Sequence, residues 1–119
     1  MSKSVLIVDD SSSVRAATRI FVEKQLGLEV CGEAVDGCDA VDKACALSPD
    51  LVIMDFQMPR MNGMQASRKI RNLLARVPII LFTMFADAIT PQDARDAGIS
   101  AVVCKTNLAG LQQRIESYI

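Results

Sequence analysis

Short apolar runs at positions 4–8, 28–34, 51–54, 78–82 and 101–104 are separated by stretches whose apolar positions recur with helical spacing. Val5-Leu6-Ile7-Val8, Leu51-Val52-Ile53-Met54 and Ile79-Ile80-Leu81-Phe82 are continuously apolar, as strands covered on both faces must be. The run at 28–34 carries Glu29 and Glu33 and reads as an edge strand. In the first intervening stretch Val14, Ala17, Phe21 and Val22 share one face, while Arg15, Arg19 and Glu23 recur every four residues on the other. Gly27 stops that helix. Asp36 can cap a second helix that turns Val41, Ala44 and Cys45 inward and ends before Pro49. A third helix spans 63–74, and Leu108, Leu111, Ile115 and Ile119 mark the inner stripe of the last. Near position 90, Thr90-Pro91-x-Asp93 supplies a cap, a proline suited to the first helical position and an acid in the first turn, so a short helix runs from there to Ala97, before Gly98.

Strands that alternate with helices in this way imply an α/β fold: a five-stranded parallel sheet with helices on both faces. No linker, repeat or low-complexity stretch divides the chain, which predicts one domain over 1–119. In open sheets of this kind ligands bind beyond the carboxyl ends of the strands.

Composition narrows the chemistry. The 119 residues are half hydrophobic, with 13 basic and 14 acidic side chains and no histidine. A net charge of −1 gives no electrostatic basis for direct nucleic-acid binding, and no recognition motif for it is present. Without His there is no Ser-His-Asp or Cys-His nucleophile, no His metal ligand and no phosphohistidine on this chain. Four cysteines (31, 38, 45 and 104) form no CxxC pair and read as small buried hydrophobes, Cys104 included. No apolar run approaches the ~20 residues of a membrane span, and no signal-peptide pattern opens the chain, so the expectation is a cytoplasmic protein that does not engage a membrane.

The strand ends carry the reactive groups. Asp9 and Asp10 follow the first strand, Asp55 the third, Thr83 the fourth and Lys105 the fifth. Parallel strands bring these ends to one edge. Three carboxylates packed together repel unless a cation joins them, and Mg2+ suits oxygen ligands while keeping waters for a substrate's oxygens. A carboxylate beside such an ion, an ammonium and a hydroxyl can attack phosphorus.

These residues resemble the receiver domain of two-component response regulators. The resemblance rests on Val8-Asp9-Asp10, on Met54-Asp55-Phe56-Gln57-Met58-Pro59-Arg60-Met61-Asn62-Gly63, and on Thr83 and Lys105 at spacings of 28 and 22 residues, and it covers essentially the whole chain. It implies the flavodoxin-like strand order 2-1-3-4-5. It also implies that Asp55 is the phosphoacceptor and that Asp10, Asp55 and the Gln57 backbone carbonyl bind Mg2+, with Asp9 acting through water. By the same likeness Thr83 would hydrogen-bond a phosphoryl oxygen and Lys105 would pair with the group. The resemblance implies a histidine kinase or histidine phosphotransfer protein as donor, and because this chain has no His the phosphohistidine would lie on that other protein. The output is a downstream effector domain or protein, and a phosphorylation-dependent dimer is left open. Such a domain catalyses its own phosphorylation and slow dephosphorylation but is not a turnover enzyme.

The chain departs from the family at three neighbouring places. Val102 stands where an aromatic residue is usual, and Thr106 where Pro usually follows the Lys. The late start at Pro91 leaves a long loop over 84–90. All three border the face formed by the fourth helix, fifth strand and fifth helix, the usual output face. Signalling is therefore expected to reorder the 84–90 loop rather than rotate an aromatic ring. Met84, Phe85 and Gln57 occupy positions that tune hydrolysis in the family, and the bulk of Met84 predicts a long-lived phosphoryl group.

Other features carry less. No acid occurs over 56–86, where Arg60, Arg68, Lys69, Arg71 and Arg76 all fall; a solvated helix with cations in its last turn accounts for this, and docking of an acidic partner is the alternative. An aspartate-nucleophile phosphatase is the enzymatic rival, but it would show D-x-D where Asp9-Asp10-Ser11 stands. A flavodoxin-like binding scaffold is the other, and the complete set of Asp10, Asp55, Thr83 and Lys105 speaks against it.

Overall fold

In a computed structural model, which describes residues 3–119, the chain folds as five strands and five helices in strict alternation. The strands are β1 (Ser4–Val8), β2 (Glu29–Ala34), β3 (Leu51–Met54), β4 (Ile79–Thr83) and β5 (Ala101–Cys104). They pair in parallel in the order β2-β1-β3-β4-β5. The expected parallel sheet and its edge strand β2 are both present, with a bulge in the β1–β2 register at Val5/Leu6. The fourth strand begins one residue later than the apolar run suggests and takes in Thr83, whose hydroxyl side chain is fully buried at its tip.

The helices are α1 (Ser12–Ile20), α2 (Gly37–Leu47), α3 (Gly63–Leu73), α4 (Pro91–Asp96) and α5 (Leu108–Tyr118). Side chains that alternate between the two faces of the sheet divide the core into two layers. Leu6, Val8, Val52, Met54, Ile79 and Leu81 face Ala40 and Ala44 of α2, Ala66 and Ile70 of α3, and Ala94 of α4. Val5, Ile7, Leu51, Ile53, Ile80 and Phe82 face Phe21 and Val22 at the end of the first helix and Leu111 and Ile115 of α5. Each fully buried aliphatic side chain contributes about 1.5–3 kcal/mol relative to exposure.

Several inward assignments are corrected by the packing. On α1 the buried position is Thr18, not the exposed Ala17: Val14, Thr18, Phe21 and Val22 make a tighter i, i+4, i+7, i+8 stripe. Thr18 is admitted because its hydroxyl donates to the Val14 carbonyl at 2.8 Å. The first helix ends in a π turn over Phe21–Gln25, closed by Leu26 N to Phe21 O, before Gly27 takes a positive φ of 68°. On α2 the buried set is Gly37, Ala40 and Ala44, which leaves Cys45 and Cys38 together on the outer face. None of the four cysteines is buried; Cys31 and Cys104 are intermediate. On α5 the inner stripe is Leu111, Ile115 and the half-buried Tyr118, so Leu108 and Ile119 are exposed.

Local chemistry sets the helix starts, and with them the loops that carry the strand-end residues. Ser11, Asp36, Asn62, Thr90 and Asn107 each accept a backbone N–H of their helix, and Asn62 forms a reciprocal capping box with Gln65.

Candidate functional site

The carboxyl ends of β1, β3, β4 and β5 converge, and three of the expected side chains meet directly. Asp9, Asp10 and Asp55 bring carboxylate oxygens within 4.8 Å of one another. Lys105, at the tip of β5, reaches into the group: its Nζ lies 2.7 Å from Asp9 Oδ2 and 3.3 Å from Asp55 Oδ2. Asp9 and Asp55 are buried, and Asp10 is exposed and makes no ion pair among the described residues.

Each buried carboxylate is held by backbone donors as well. Asp9 Oδ1 accepts from Ser11 N at 2.9 Å, and Asp55 Oδ1 accepts from Phe56 N at 2.8 Å. Asp55 N donates to Val8 O at 2.9 Å, tying the end of β3 to the end of β1. The loop after Asp55 returns closely enough that Gly63 N donates to Phe56 O at 2.7 Å. A Cβ on Gly63 would stand 2.2 Å from the Asp55 carbonyl oxygen, so only glycine fits at that position.

The electrostatics follow from crowding. Burial and the neighbouring Asp9 charge push the Asp55 carboxyl above its ordinary range, against the opposing pull of Lys105. Burial alone would lower the Lys105 ammonium, but its hydrogen bond and charge contacts with Asp9 and Asp55 outweigh it and the net direction is upward. One ammonium faces three carboxylates. The excess negative charge, oxygen-only donors and open side at Asp10 are what a hard divalent cation requires.

The remaining expected residues lie around this centre at different removes. Gln57 and Asp10 line one cleft together with Phe56, Met58 and Asn62, which puts Gln57 beside the exposed member of the acidic cluster. Thr83 is buried with its Oγ1 accepting from Phe85 N at 3.1 Å, and Lys105 N donates to the Thr83 carbonyl at 3.1 Å. Met84 and Phe85 are exposed, at 59% and 46%; Met84 lines an apolar groove with Val14, Ala17, Phe82, Lys105 and Leu108. Val102 is half-buried against the core layer that contains Ala94 and that Ile89 also packs on, on the α4 side of the sheet. The 84–90 segment holds one 3-10 turn, Ala86–Ala88, before α4 begins at Pro91.

One contact has no counterpart in the sequence reading. Arg15, expected on the first helix's face opposite the apolar one, donates from Nη1 to the Asp9 carbonyl at 2.7 Å. Its spacing from Asp9 carries no signal for this, because the bond depends on the reach of a long side chain back across the helix start.

Comparison with known proteins shows the family and the fold. The family model described as the response regulator receiver domain matches residues 5–116. The response regulator protein VraR of Staphylococcus epidermidis is 35% identical over 109 residues, covering 92% of this chain and 52% of VraR. The chain thus spans about half the length of the curated relatives it matches. The response regulator domain of CheB from Thermotoga maritima superimposes with a TM-score of 0.90 at 25% identity, covering 99% of this chain and 96% of the other. The response regulator protein TrrA from Thermotoga maritima, solved in complex with Mg(2+)-BeF, gives 0.89 at 26% identity, covering 98% and 99%.

Proposed function

The chain belongs to the response regulator receiver domain family, and from that premise we propose that Asp55 accepts a phosphoryl group from a phosphohistidine on another protein. The observation that carries the proposal is the pairing of Asp55 with Lys105 at 3.3 Å inside a cluster of two further carboxylates. Asp55 Oδ attacks phosphorus as the donor's P–N bond breaks, and the electron pair leaves with the imidazole nitrogen. Lys105 turns from the carboxylates to the phosphoryl oxygens, and Thr83, at the adjacent strand tip, donates its hydroxyl to another of them. Asp10, Asp55 and the Gln57 carbonyl would hold a Mg2+, with Asp9 acting through water. When bound, such an ion supplies neutralisation of carboxylate charge and polarisation of phosphoryl oxygens.

The same reading takes residues 1–119 as one receiver domain acting in the cytoplasm. Its donor is a histidine kinase or histidine phosphotransfer protein. The groove along Val14, Ala17, Met84 and Leu108 supports docking of that donor, since it opens beside Lys105 and leaves Leu108 48% exposed. Output passes to an effector domain or protein through the α4–β5–α5 face, by reordering of the 84–90 loop. Met84, on the rim of the Lys105 groove, restricts the approach of water to the phosphoryl group and lengthens its life.

Incubation with acetyl phosphate and MgCl2, followed by intact-mass measurement, tests the proposal. One added phosphoryl group, absent in Asp55→Asn, is expected. Turnover of phosphate esters would instead support a phosphatase, and no adduct on the unaltered chain would support a binding scaffold.

A further inference from the structure

Asp10 makes no hydrogen bond or ion pair of its own among the described residues, so the direction of its carboxylate depends on the backbone that carries it. That backbone is pinned from outside the site. The Asp9 amide donates to Ala34 O at 3.1 Å, and the Asp9 carbonyl, which forms the peptide with Asp10, accepts from Arg15 Nη1 at 2.7 Å. Arg15 is itself held: its Nε lies 3.1 Å from Glu33 Oε1, and its side chain is only 15% exposed. The other oxygen of Glu33 takes Arg19 Nε at 2.9 Å. Glu33 therefore grips two arginines of α1, of which only Arg15 continues to the acidic cluster.

We propose that Arg15 is a positioning residue: its guanidinium, clamped by Glu33, fixes the Asp9–Asp10 peptide so that the Asp10 carboxylate faces Asp55. The inference rests on the reading of Asp10 as a metal ligand. Guanidinium chemistry suits the task, because a planar fork presents Nε and Nη1 to two acceptors at once in a fixed relation. A lysine ammonium at the same position has no such fork.

The mundane alternative is that Arg15–Glu33 is one more ion pair at the sheet edge. Arg19 provides the internal control, since it shares the same carboxylate and does not touch Asp9. The sign of the effect separates the two readings further. Removing a cation near an acidic site should tighten divalent-metal binding on Coulombic grounds alone, whereas loss of positioning should weaken it.

The experiment is titration of the metal-free 119-residue chain with MgCl2, read by amide NMR shifts at Asp10, Ser11 and Phe56, with thermal melts of each variant as the check on folding. Arg15→Met should weaken Mg2+ binding by about tenfold, within the range for partners that orient metal ligands. Arg19→Met should stay within about twofold of wild type. Arg15→Lys keeps the charge and should still bind several-fold more weakly, which preserves the test if Arg15→Met fails to fold. Wild-type affinity in Arg15→Lys, tighter binding in Arg15→Met, or equal weakening in Arg19→Met would each overturn the inference while leaving the site reading intact. A wild-type chain with no Mg2+-dependent shifts would overturn the site reading and this inference together.

Discussion

The two flanks of the strand-end site are built differently. On the β2 side, Arg15 and Arg19 share Glu33, Arg19 also meets Glu23, and Lys43 meets Asp39 on α2. On the β5 side, residues 84–104 make no ion pair among those described, α4 has six residues against eleven in α2, and Met84 and Phe85 point their apolar side chains outward. Under the function proposed above, the difference matches two tasks. Groups that must keep a fixed geometry, above all Asp9 and Asp10, adjoin the braced flank. The segment that follows Thr83 adjoins the flank with few restraints, where a local rearrangement costs least.

The largest single tie on the unbraced flank is a side chain of α3. Arg71 donates from Nε and Nη2 to the Gly98 carbonyl at 3.2 and 2.6 Å and from Nη1 to Ala75 O at 2.9 Å. It thereby joins the end of α3 to the turn between α4 and β5. Burial lowers its pKa from the ordinary arginine value, yet it stays charged throughout the working range. Arg71→Ala should cost about 1.5–3 kcal/mol in denaturant melts, the worth of charge-assisted hydrogen bonds left unmade. Arg19→Ala on the other flank should cost about 1 kcal/mol or less, because its pairs are partly solvated and Glu33 keeps Arg15. Equal costs would mean that the shared network of the β2 side is no more redundant than the single Arg71 tie of the other.

This contrast also marks how far a sequence can be read. Strands buried on both faces admit only apolar residues, so β1, β3 and β4 stand out as uninterrupted runs, and parallel pairing then gathers Asp9, Asp10, Asp55 and Lys105 without further information. Helix faces are less legible, because a 3.6-residue period leaves border positions ambiguous. Ala17, Cys45, Leu108 and Ile119 all sit on such borders and all turn outward. The π turn at Phe21–Gln25 adds to this by rotating the end of the first helix out of register with its start. Links through long side chains, such as Glu33 to Arg15 to Asp9 or Arg71 to Gly98, depend on tertiary distance alone and leave no spacing to detect.

A smaller effect tests whether the unbraced flank is the part that responds. Amide hydrogen exchange should be followed with and without beryllofluoride plus Mg2+, a mimic of the phosphorylated state. Amides of 84–90 should change protection by about tenfold, equivalent to ~1.4 kcal/mol of local opening. Those of β2 and α2 should change by less than about twofold. Equal protection of the loop in both states would remove loop reordering as the switching route.

The smallest effect concerns the site where the flanks meet. Asp9 and Asp55 share one ammonium there, with Asp10 close by, and the raised pKa of Asp55 means that the folded chain binds its proton more tightly than the unfolded chain does. Ionising Asp55 therefore costs stability. The cost is absent below the unfolded value near 3.8, grows as pH rises through the folded value and is complete above it. Asp55→Asn keeps an oxygen to accept from Phe56 N and removes the charge, so in metal-free buffer at about pH 7.5 it should stabilise the fold by about 0.5–1 kcal/mol, the low end for a single stabilising substitution. At about pH 4 the gain should shrink, because more of wild-type Asp55 carries its proton as pH falls through the raised folded value. Thermal melts of both chains at the two pH values measure the difference directly. A variant less stable than wild type at neutral pH would mean that the ion pair with Lys105 outweighs burial and the Asp9 charge. The site would then be a net brace like the β2 flank, rather than a point of stored repulsion between a fixed side and a yielding one.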